Sequence, residues 1–474
     1  MRYKPGIIIL AFTIFFIMQF LSPPALLSPE GYKIVSCALL MIVLWLTEAI
    51  PIPAAALLPI VLFPVLGIDD IGNVAANYGN SIVFLFMGGF ILALSLEKWG
   101  LHRRLALGII GLTGGGPTGI LVGFTIATAF LSMWISNTAT AVIMLPMAIS
   151  VMALVGTSSE AQSKNFFISL TLLIAYAANI GGMATLIGTP PNIVLKGLAE
   201  TVLQKEIGFA EWLLVAFPIS AVMLAVTFSI VVFVLYPSKL GKMEGLKGVI
   251  QNSYKELGPV GFEEKMVALV FLLTATGWMF RIPFNNLLQN DYLNDTNIAL
   301  SGALLLFMIP AKGKESRFLM EWKDMVKLPW GILILFGGGL ALAAAMEKTG
   351  IILAIGVWVG SLDITGGLVL IFIVTALMLF MTELMSNVAL CTVFLPLVIG
   401  IANAFEMPAM HMLVPVTLAS SCAFMLPMGT PPNAIVFASG NLRILDMVRA
   451  GLPLNLLSIV IIVLLSNWLV KFIV

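Results

Sequence analysis

A polar triplet, Ser136-Asn137-Thr138, interrupts the otherwise apolar segment WISNTATAVIMLP. Hydroxyl and amide side chains, together with the free N–H groups of a helix N-terminus, can bind the oxygens of a carboxylate or a phosphate-like anion. Carbonyl oxygens nearby would suit a hard cation such as sodium. A related segment, SNVALCTVFLP, begins at Ser386. The two triplets therefore predict a site for a small anion, for a cation or for both.

The first triplet lies in a region without charged residues that extends from Leu105 to Ser159. In hydrocarbon, a broken helix persists only where its free backbone groups are buried in protein or face a water-filled cavity. We expect re-entrant hairpins near 116–156 and near 364–404, each with its tip at mid-membrane. A helix cap or a polar contact between helices would explain one triplet. Two triplets, each followed ten residues later by a proline, favour a binding site.

A second repeated motif, GTPPN, begins at Gly188 and again at Gly429. Its prolines lack N–H donors and disfavour helix at the preceding residue. The motif therefore predicts helices that are broken within the membrane near 166–196 and near 413–438. A kink with a purely structural role is the alternative, but the paired occurrence favours a cavity between the two breaks.

The composition is that of an integral membrane protein. Of the 474 residues, 60% are hydrophobic and 10% are charged, and the mean hydropathy is +1.09, whereas an average soluble protein has about 25% charged residues. Runs of about 20 mostly apolar residues recur along the chain and predict about ten or more crossings. The net charge of +1 gives no indication of a nucleic-acid partner. The cysteines, Cys37, Cys391 and Cys422, match no metal-ligand spacing.

The distribution of basic residues predicts an orientation in the membrane. By the positive-inside rule, the places where lysine and arginine collect are cytoplasmic. These places are Arg2 with Lys4, Arg103 with Arg104, 239–265, 312–327, and Arg443 with Arg449. We therefore expect a multi-pass protein of the cell (inner or plasma) membrane, with a cytoplasmic N-terminus and an extracytoplasmic C-terminus.

Longer segments repeat as well. FMGGFILALSLEKWG at 86–100 resembles FGGGLALAAAMEKTG at 336–350, and the spacing between them equals that between the two triplets. Counting the expected crossings gives the two segments opposite orientations. Inverted repeats are typical of secondary transporters, whose halves open the site to each side in turn. We predict a first repeat at 1–237, a cytoplasmic linker at 238–264 and a second, inverted repeat at 265–474.

Two acidic residues have apolar neighbours in the sequence. Glu383, three residues before Ser386, is an ionisable group at membrane depth and is thus a functional candidate. Its counterpart in the first repeat is Met133. A carboxylate that ties the hairpin to its own backbone or to a neighbouring helix is an equally good interpretation. The same two interpretations hold for Glu48 in WLTEAIPIP.

At these motifs the sequence resembles the divalent anion/sodium symporter family, the Indy-type di- and tricarboxylate transporters, across nearly its whole length. The resemblance implies an all-α polytopic membrane fold of about 11 transmembrane helices and two re-entrant hairpins in two inverted-topology repeats. It also implies a homodimer in which a transport domain moves as an elevator against a fixed scaffold domain. The implied function is secondary active transport of C4-dicarboxylates such as succinate, malate and fumarate by sodium-coupled symport.

Matching the family's motifs residue by residue implies the positions of the ligands. One sodium ion would be bound by Ser132, Ser136, Asn137 and the backbone at Gly188. The other would be bound by Thr382, Met385, Asn387 and the backbone at Gly429. Substrate contacts are assigned to Ser136, Asn137, Thr138, Thr189, Pro190, Ser386, Asn387, Val388, Thr430 and Pro431. The second triplet departs from the family pattern, because Val388 has no hydroxyl where many relatives have threonine.

Two other functions remain open. The family includes sodium-independent exchangers of dicarboxylates, 2-oxoglutarate or citrate. Because cation sites use backbone carbonyls heavily, the side chains do not distinguish symport from exchange. An intramembrane enzyme would need a nucleophile and a base, such as Ser136 with a histidine. His102 lies beside Arg103 and Arg104, and His411 is expected in a loop, so neither is placed for catalysis. We expect no catalytic residue and no cofactor besides sodium; the expected partners are a dicarboxylate, sodium, lipid and a second copy of the chain.

Overall fold

The computed structural model describes residues 4–24, 27–114, 116–155, 160–238, 240, 246–312, 317–360 and 366–473. Parts of the predicted repeats, hairpins and linker lie outside these residues, namely 1–3, 25–26, 115, 156–159, 239, 241–245, 313–316, 361–365 and 474. Within the described ranges every regular element is a helix, and an isolated bridge joins Pro310 to Phe318. The predicted all-α class is confirmed.

The first predicted repeat forms helices with the following bounds. They are α1 (Pro5–Phe20), α2 (Pro29–Thr47), α3 (Ile52–Ala55), α4 (Leu58–Val65), α5 (Ile71–Ala76), α6 (Ser81–Lys98), α7 (Leu101–Leu112), α8 (Pro117–Ser132), α9 (Asn137–Val155), α10 (Glu160–Met183), α11 (Pro190–Thr201) and α12 (Phe209–Ser229). A short 3₁₀ turn, Asn77–Gly79, joins α5 to α6, and α12 continues as a π-helical segment, Ile230–Leu235.

The rest of the chain is also helical. Its helices are α13 (Leu246–Glu256), α14 (Phe262–Met279), α15 (Arg281–Leu288), α16 (Asp295–Met308), α17 (Trp330–Lys348), α18 (Ile351–Gly360), α19 (Gly367–Thr382), α20 (Asn387–Ala404), α21 (Ala409–Ser420), α22 (Pro431–Ala438) and α23 (Ile444–Leu469). Short 3₁₀ turns lie at Trp322–Lys327 and Val470–Phe472. The predicted linker, 238–264, therefore contains α13 and the start of α14.

Many of these helices have the length and composition of membrane spans. Seven helical stretches within the described residues are long enough and apolar enough to cross a membrane. Helices α14 and α15, which are bent by 75° relative to each other, would together add an eighth. Shorter apolar helices, among them α1, α8 and α19, fall below the length of a full span. The number of crossings, about 11 by resemblance, therefore stays a prediction.

The helices are interrupted at the polar triplets and at the GTPPN motifs. Four residues separate the end of α8 from the start of α9, and four separate the end of α19 from the start of α20. The triplets open the second helix of each pair. Helices α11 and α22 begin with a proline pair, which suits a first turn because its N–H groups have no partner within the helix. The expected position of these interruptions, within the membrane, stays a prediction.

Helices α10 and α21 form the centre of the packing. In α10, 94% of the apolar stretch Ser163–Met183 is buried, and this helix contacts α8, α9, α12 and α22. Helix α21 contacts α19, α20 and α23. Two contacts cross between the repeats in an equivalent way, because α9 packs against α22 and α11 packs against α20. One helix of each hairpin thus packs against the helix that follows the break in the other repeat.

Candidate functional site

The tip of the first hairpin is held by a buried hydroxyl. Ser132 Oγ lies 2.8 Å from Asn137 Oδ1 and 2.7 Å from the carbonyl oxygen of Ala178 on α10. At the start of α9, the Ala139 N–H donates to Ser136 Oγ at 3.2 Å, a typical N-terminal capping contact. The last residue of α8 therefore sets the position of the amide that opens α9.

The first break lies directly against this tip. Thr185 donates its hydroxyl to the Met133 carbonyl (2.5 Å) and accepts from the Gly188 N–H (3.1 Å). Asn192, in the first turn of α11, donates its amide to the Thr185 carbonyl at 2.7 Å. These bonds satisfy backbone groups that a broken helix leaves without partners. The break is thereby tied to the hairpin and to the helix that follows it.

Three of the residues assigned to the first sodium ion meet between the tip and the break. A Cβ atom added at Gly188 would stand 2.9 Å from the Ser132 carbonyl oxygen and 2.5 Å from that of Gly182. A Cβ atom added at Gly182 would stand 2.3 Å from Asn137 Oδ1. The two glycines allow an approach that side chains would prevent. Main-chain and amide oxygens from the tip and the break therefore come close together here, and such oxygens are the ligands that hard cations prefer, so the residues fit sodium.

The second hairpin is held in the same way as the first. Thr382, the last residue of α19, donates its hydroxyl to the carbonyl of Ser420 on α21 at 2.7 Å, as Ser132 does to Ala178. A Cβ atom added at Gly429 would stand 3.4 Å from the carbonyl oxygen of Glu383. The residue after Thr382 therefore borders the glycine assigned to the second sodium ion. Met385 and Asn387 are partly exposed at this tip, and their part in this set stays a prediction.

The asparagines of the two GTPPN motifs play equivalent roles. Asn192 donates to the carbonyls of Gly182 (3.4 Å) and Thr185 (2.7 Å). Asn433 donates to the carbonyls of Ala423 (2.9 Å) and Leu426 (3.0 Å), which stand at the same distances along the chain before their asparagine. The internal repeat is therefore visible in individual hydrogen bonds of the two breaks.

A buried amide joins the two repeats at the second break. Asn179 on α10 donates to Thr430 Oγ1 at 3.0 Å and approaches Asn433 Oδ1 at 3.5 Å. Three residues earlier on the same helix, Tyr176 donates its hydroxyl to the Phe424 carbonyl at 2.7 Å. The central helix of one repeat thus helps to hold the broken helix of the other.

Burial separates the two groups of assigned residues. Most residues assigned only to sodium are buried, namely Ser132, Gly188, Thr382 and Gly429, while Met385 is partly exposed. Most residues assigned to substrate are exposed or partly exposed, namely Ser136, Asn137, Thr138, Pro190, Ser386, Asn387, Val388 and Pro431, while Thr189 and Thr430 are buried. This gradient suits ions bound beneath a substrate that contacts the hairpin tips.

Comparison with known sequences identifies the family. The sequence model described as "Sodium:sulfate symporter transmembrane region" matches residues 6–474. The chain belongs to this family. Its predicted membership of the divalent anion/sodium symporters is thereby confirmed. A protein of Staphylococcus saprophyticus named sodium-dependent dicarboxylate transporter SdcS is 40% identical over 470 residues, covering 98% of this chain and 91% of the relative. A protein of the same name from Staphylococcus aureus, strain bovine RF122 / ET3-1, is 39% identical over 451 residues, covering 94% and 87%.

Two solved membrane transporters share the fold of this family member. MtrF of Neisseria gonorrhoeae, described as one of a class of antimetabolite efflux pumps, has a TM-score of 0.56 at 12% identity and covers 97% of both chains. The YdaH transporter of Alcanivorax borkumensis has a TM-score of 0.52 at 13% identity and covers 85% of this chain and 87% of that one. The predicted polytopic, multi-pass membrane fold is confirmed, and the relatives' names agree with the expectation of a protein that is not an enzyme.

The acidic residues and histidines that the sequence analysis considered lie in different environments. Glu383 is buried and binds the second break, so the structure agrees with a carboxylate that ties the hairpin to its neighbours. Glu48 is exposed in a left-handed turn (φ 47°) at the end of α2. His102 Nδ1 lies 2.8 Å from the Leu96 carbonyl oxygen. The expectation that His411 lies in a loop is wrong, because the helix α21 begins two residues earlier.

Sequence reasoning missed a cluster of buried charges that joins α11 to α15 and α16. Lys196 Nζ lies 2.8 Å from Glu200 Oε1 and 3.5 Å from Asp295 Oδ2, and Asp295 Oδ1 lies 3.4 Å from Arg281. Arg281 also pairs with Glu206. The cluster lies beside a polar cavity of about 330 Å³. The available signal was Lys196 itself, a lysine five residues after the proline pair, directly after the uncharged run 165–195.

Proposed function

We propose that this protein is a secondary active transporter that carries C4-dicarboxylates across the membrane by sodium-coupled symport. The observation that carries the proposal is the close approach of Ser132, Asn137 and Gly188, which brings oxygens of the hairpin next to oxygens of the break. Relatives that are named sodium-dependent dicarboxylate transporters support it. The sequences of those relatives cover nearly the whole chain.

In this proposal each sodium ion lies between a hairpin tip and a break. The first ion is bound by Ser132, Ser136, Asn137 and the backbone at Gly188. The second is bound by Thr382, Met385, Asn387 and the backbone at Gly429. Because each ion would connect a hairpin with a broken helix, its binding would order both segments before substrate arrives.

The dicarboxylate would lie between the exposed ends of the two hairpins. Its carboxylates would accept hydrogen bonds from the triplets and from the free N–H groups at the starts of the helices. The substrate contacts are Ser136, Asn137, Thr138, Thr189, Pro190, Ser386, Asn387, Val388, Thr430 and Pro431. Asn137 and Asn387 have a double role, since an amide presents an oxygen to a cation and N–H donors to an anion.

Transport would proceed by alternating access of an elevator type. The hairpins and broken helices would move together as a transport domain against a scaffold that forms the contact of a homodimer. The N-terminus would be cytoplasmic and the C-terminus extracytoplasmic, with repeats at 1–237 and 265–474. The crossed packing of α9 on α22 and of α11 on α20 supports a single moving unit.

Uptake by proteoliposomes tests the function. The purified protein is reconstituted and the uptake of radiolabelled succinate is measured with an inward sodium gradient or with potassium at equal concentration. Symport predicts accumulation with sodium, and dissipation of the gradient by a sodium ionophore abolishes it. Uptake that ignores sodium and requires dicarboxylate, 2-oxoglutarate or citrate inside the vesicle would establish exchange and contradict symport.

A further inference from the structure

Glu383 is the acidic residue at the tip of the second hairpin, directly after α19, and the residue is 2% exposed. Its Oε1 accepts hydrogen bonds from the backbone N–H groups of Phe424 (2.8 Å) and Met425 (2.9 Å) and from Asn455 Nδ2 (2.7 Å). Its Oε2 accepts from the backbone N–H of Leu426 at 3.0 Å. The side chain thus binds the second break and α23.

These four bonds identify the group as a carboxylate. All four partners are N–H donors, and both oxygens of the side chain act as acceptors. Oε1 already accepts from three N–H donors, so a proton on this oxygen would be directed at donors. The ion pairs found among the described residues do not include Glu383. Within the described part of the chain, this buried carboxylate is therefore balanced by N–H dipoles and not by a cationic side chain.

This charge borders the second cation set. A Cβ atom added at Gly429 would stand 3.1 Å from Glu383 Oε2, and Gly429 supplies a backbone ligand in the proposed function. Thr382, another proposed ligand, is the neighbouring residue in the chain. The carboxylate therefore lies immediately behind the oxygens that would contact the ion.

The first repeat has the same tie without the charge. At the position of Glu383 it has Met133, whose carbonyl accepts from the Thr185 hydroxyl on the first break. The connection between hairpin and break is thus made by a neutral hydroxyl in one repeat and by a carboxylate in the other. A mere structural tie does not require a buried charge, and burying one without a partner is costly.

We propose that the Glu383 carboxylate is a positioning and charge-supplying residue of the second cation site, which makes that site the tighter of the two. The inference rests on the proposed function, because it assigns unequal strength to the two sodium sites named there. In surroundings of low dielectric constant a fixed negative charge a few ångströms away strongly favours a cation. Sodium at the second site would be the balancing charge that Glu383 lacks in the protein alone.

The test is a titration with sodium of wild type and Glu383→Gln. Sodium-dependent thermal stabilisation without substrate, and succinate uptake at saturating succinate, each yield a K0.5 for sodium. We expect Glu383→Gln to raise this K0.5 about tenfold, which corresponds to about 1.4 kcal/mol, while the KM for succinate at saturating sodium changes less than about twofold. A folded Glu383→Gln protein with an unchanged sodium K0.5 overturns the proposal.

Asn455→Ala is the matched control, because it removes one hydrogen bond to Glu383 and leaves the charge in place. Its sodium K0.5 should stay within about twofold of wild type; an increase as large as that of Glu383→Gln would show that the hydrogen bonds matter and not the charge.

If Glu383→Gln does not fold, infrared difference spectra of the wild type with sodium and with potassium replace it. Sodium should shift a carboxylate stretching band, and the absence of any such shift overturns the proposal.

The outcomes separate this inference from the proposed function. A wild-type protein without any sodium stimulation of uptake contradicts symport itself. A wild-type protein that is stimulated by sodium, together with an unaltered K0.5 in Glu383→Gln, contradicts only the role of Glu383.

Discussion

The hydroxyl of Ser132 lies 2.8 Å from Asn137 Oδ1 across the tip of the first hairpin. Because the same hydroxyl lies 2.7 Å from the Ala178 carbonyl, the amide of Asn137 is held in position relative to α10. An amide held in this way presents its oxygen towards the buried side, where Gly182 approaches it. Its exposed part remains available to a ligand.

Replacement of Asn137 should impair sodium binding and transport together. A buried hydrogen bond to a charged group contributes about 1.5 to 3 kcal/mol, so Asn137→Ala and Asn387→Ala should lower transport roughly ten- to a hundredfold. Asn137→Asp and Asn387→Asp should abolish succinate uptake, because the new carboxylate repels a dianion, and should retain sodium-dependent thermal stabilisation. Uptake near the wild-type level in either aspartate variant would contradict the assignment.

Gly188 should not tolerate a side chain. The Cβ atom of Gly188→Ala would meet the backbone oxygens of Gly182 and Ser132 at 2.5 and 2.9 Å, so hairpin and break must separate. We expect sodium-dependent stabilisation to weaken at least about tenfold, by more than about 1.4 kcal/mol. Gly108→Ala is the control, since among the described residues beyond its own helical turn nothing lies within 4 Å of a Cβ atom on that glycine of α7. Equal behaviour of the two variants would place the cation elsewhere.

Val388 should influence the choice of anion. In the second triplet it stands where Thr138 stands in the first, and it is partly exposed in the first turn of α20. Val388→Thr adds a hydroxyl donor at similar volume, and we expect the apparent affinity for dicarboxylates, or the range of anions accepted, to change with folding preserved. Competition of unlabelled anions with succinate uptake measures this. Identical inhibition constants in both proteins would show that residue 388 does not contact substrate.

Lys196 should stabilise the fold through the buried charge cluster. Its ammonium group lies between Glu200 and Asp295 and donates to the Ile207 carbonyl at 2.6 Å. Removal of one partner leaves buried charge uncompensated, at a cost of about 3 to 5 kcal/mol where no other partner remains. Arg281 still faces Asp295, so Lys196→Met should cost less than this and should still lower the melting temperature clearly.

The control for this prediction is Lys323→Met, which removes an exposed lysine from its pair with Glu321. Exposed pairs contribute little to stability because water and salt screen them, so its melting temperature should barely change. Thermal unfolding in detergent compares the two variants. A melting temperature of Lys196→Met equal to that of wild type would contradict a stabilising role for the cluster.

The sequence alone determined the membrane class, the all-helical fold and the family. Apolar runs of sufficient length have few alternatives to helix in a bilayer, because backbone groups there must bond within the segment. The paired triplets and proline pairs located the interruptions of the helices to within a few residues, since proline removes donors that a helix needs. These are local properties, and local sequence reveals them.

Only the tertiary structure decided which groups meet. Thr185 binds the first hairpin with a hydroxyl from the break, whereas Glu383 binds the second break with a carboxylate from the hairpin. No sequence pattern links Glu383 to Asn455, or Lys196 to Asp295, because those pairs form where distant helices pack. The partners of a buried charge depend on that packing, and a buried group must bind whichever donors and acceptors the packing brings to it.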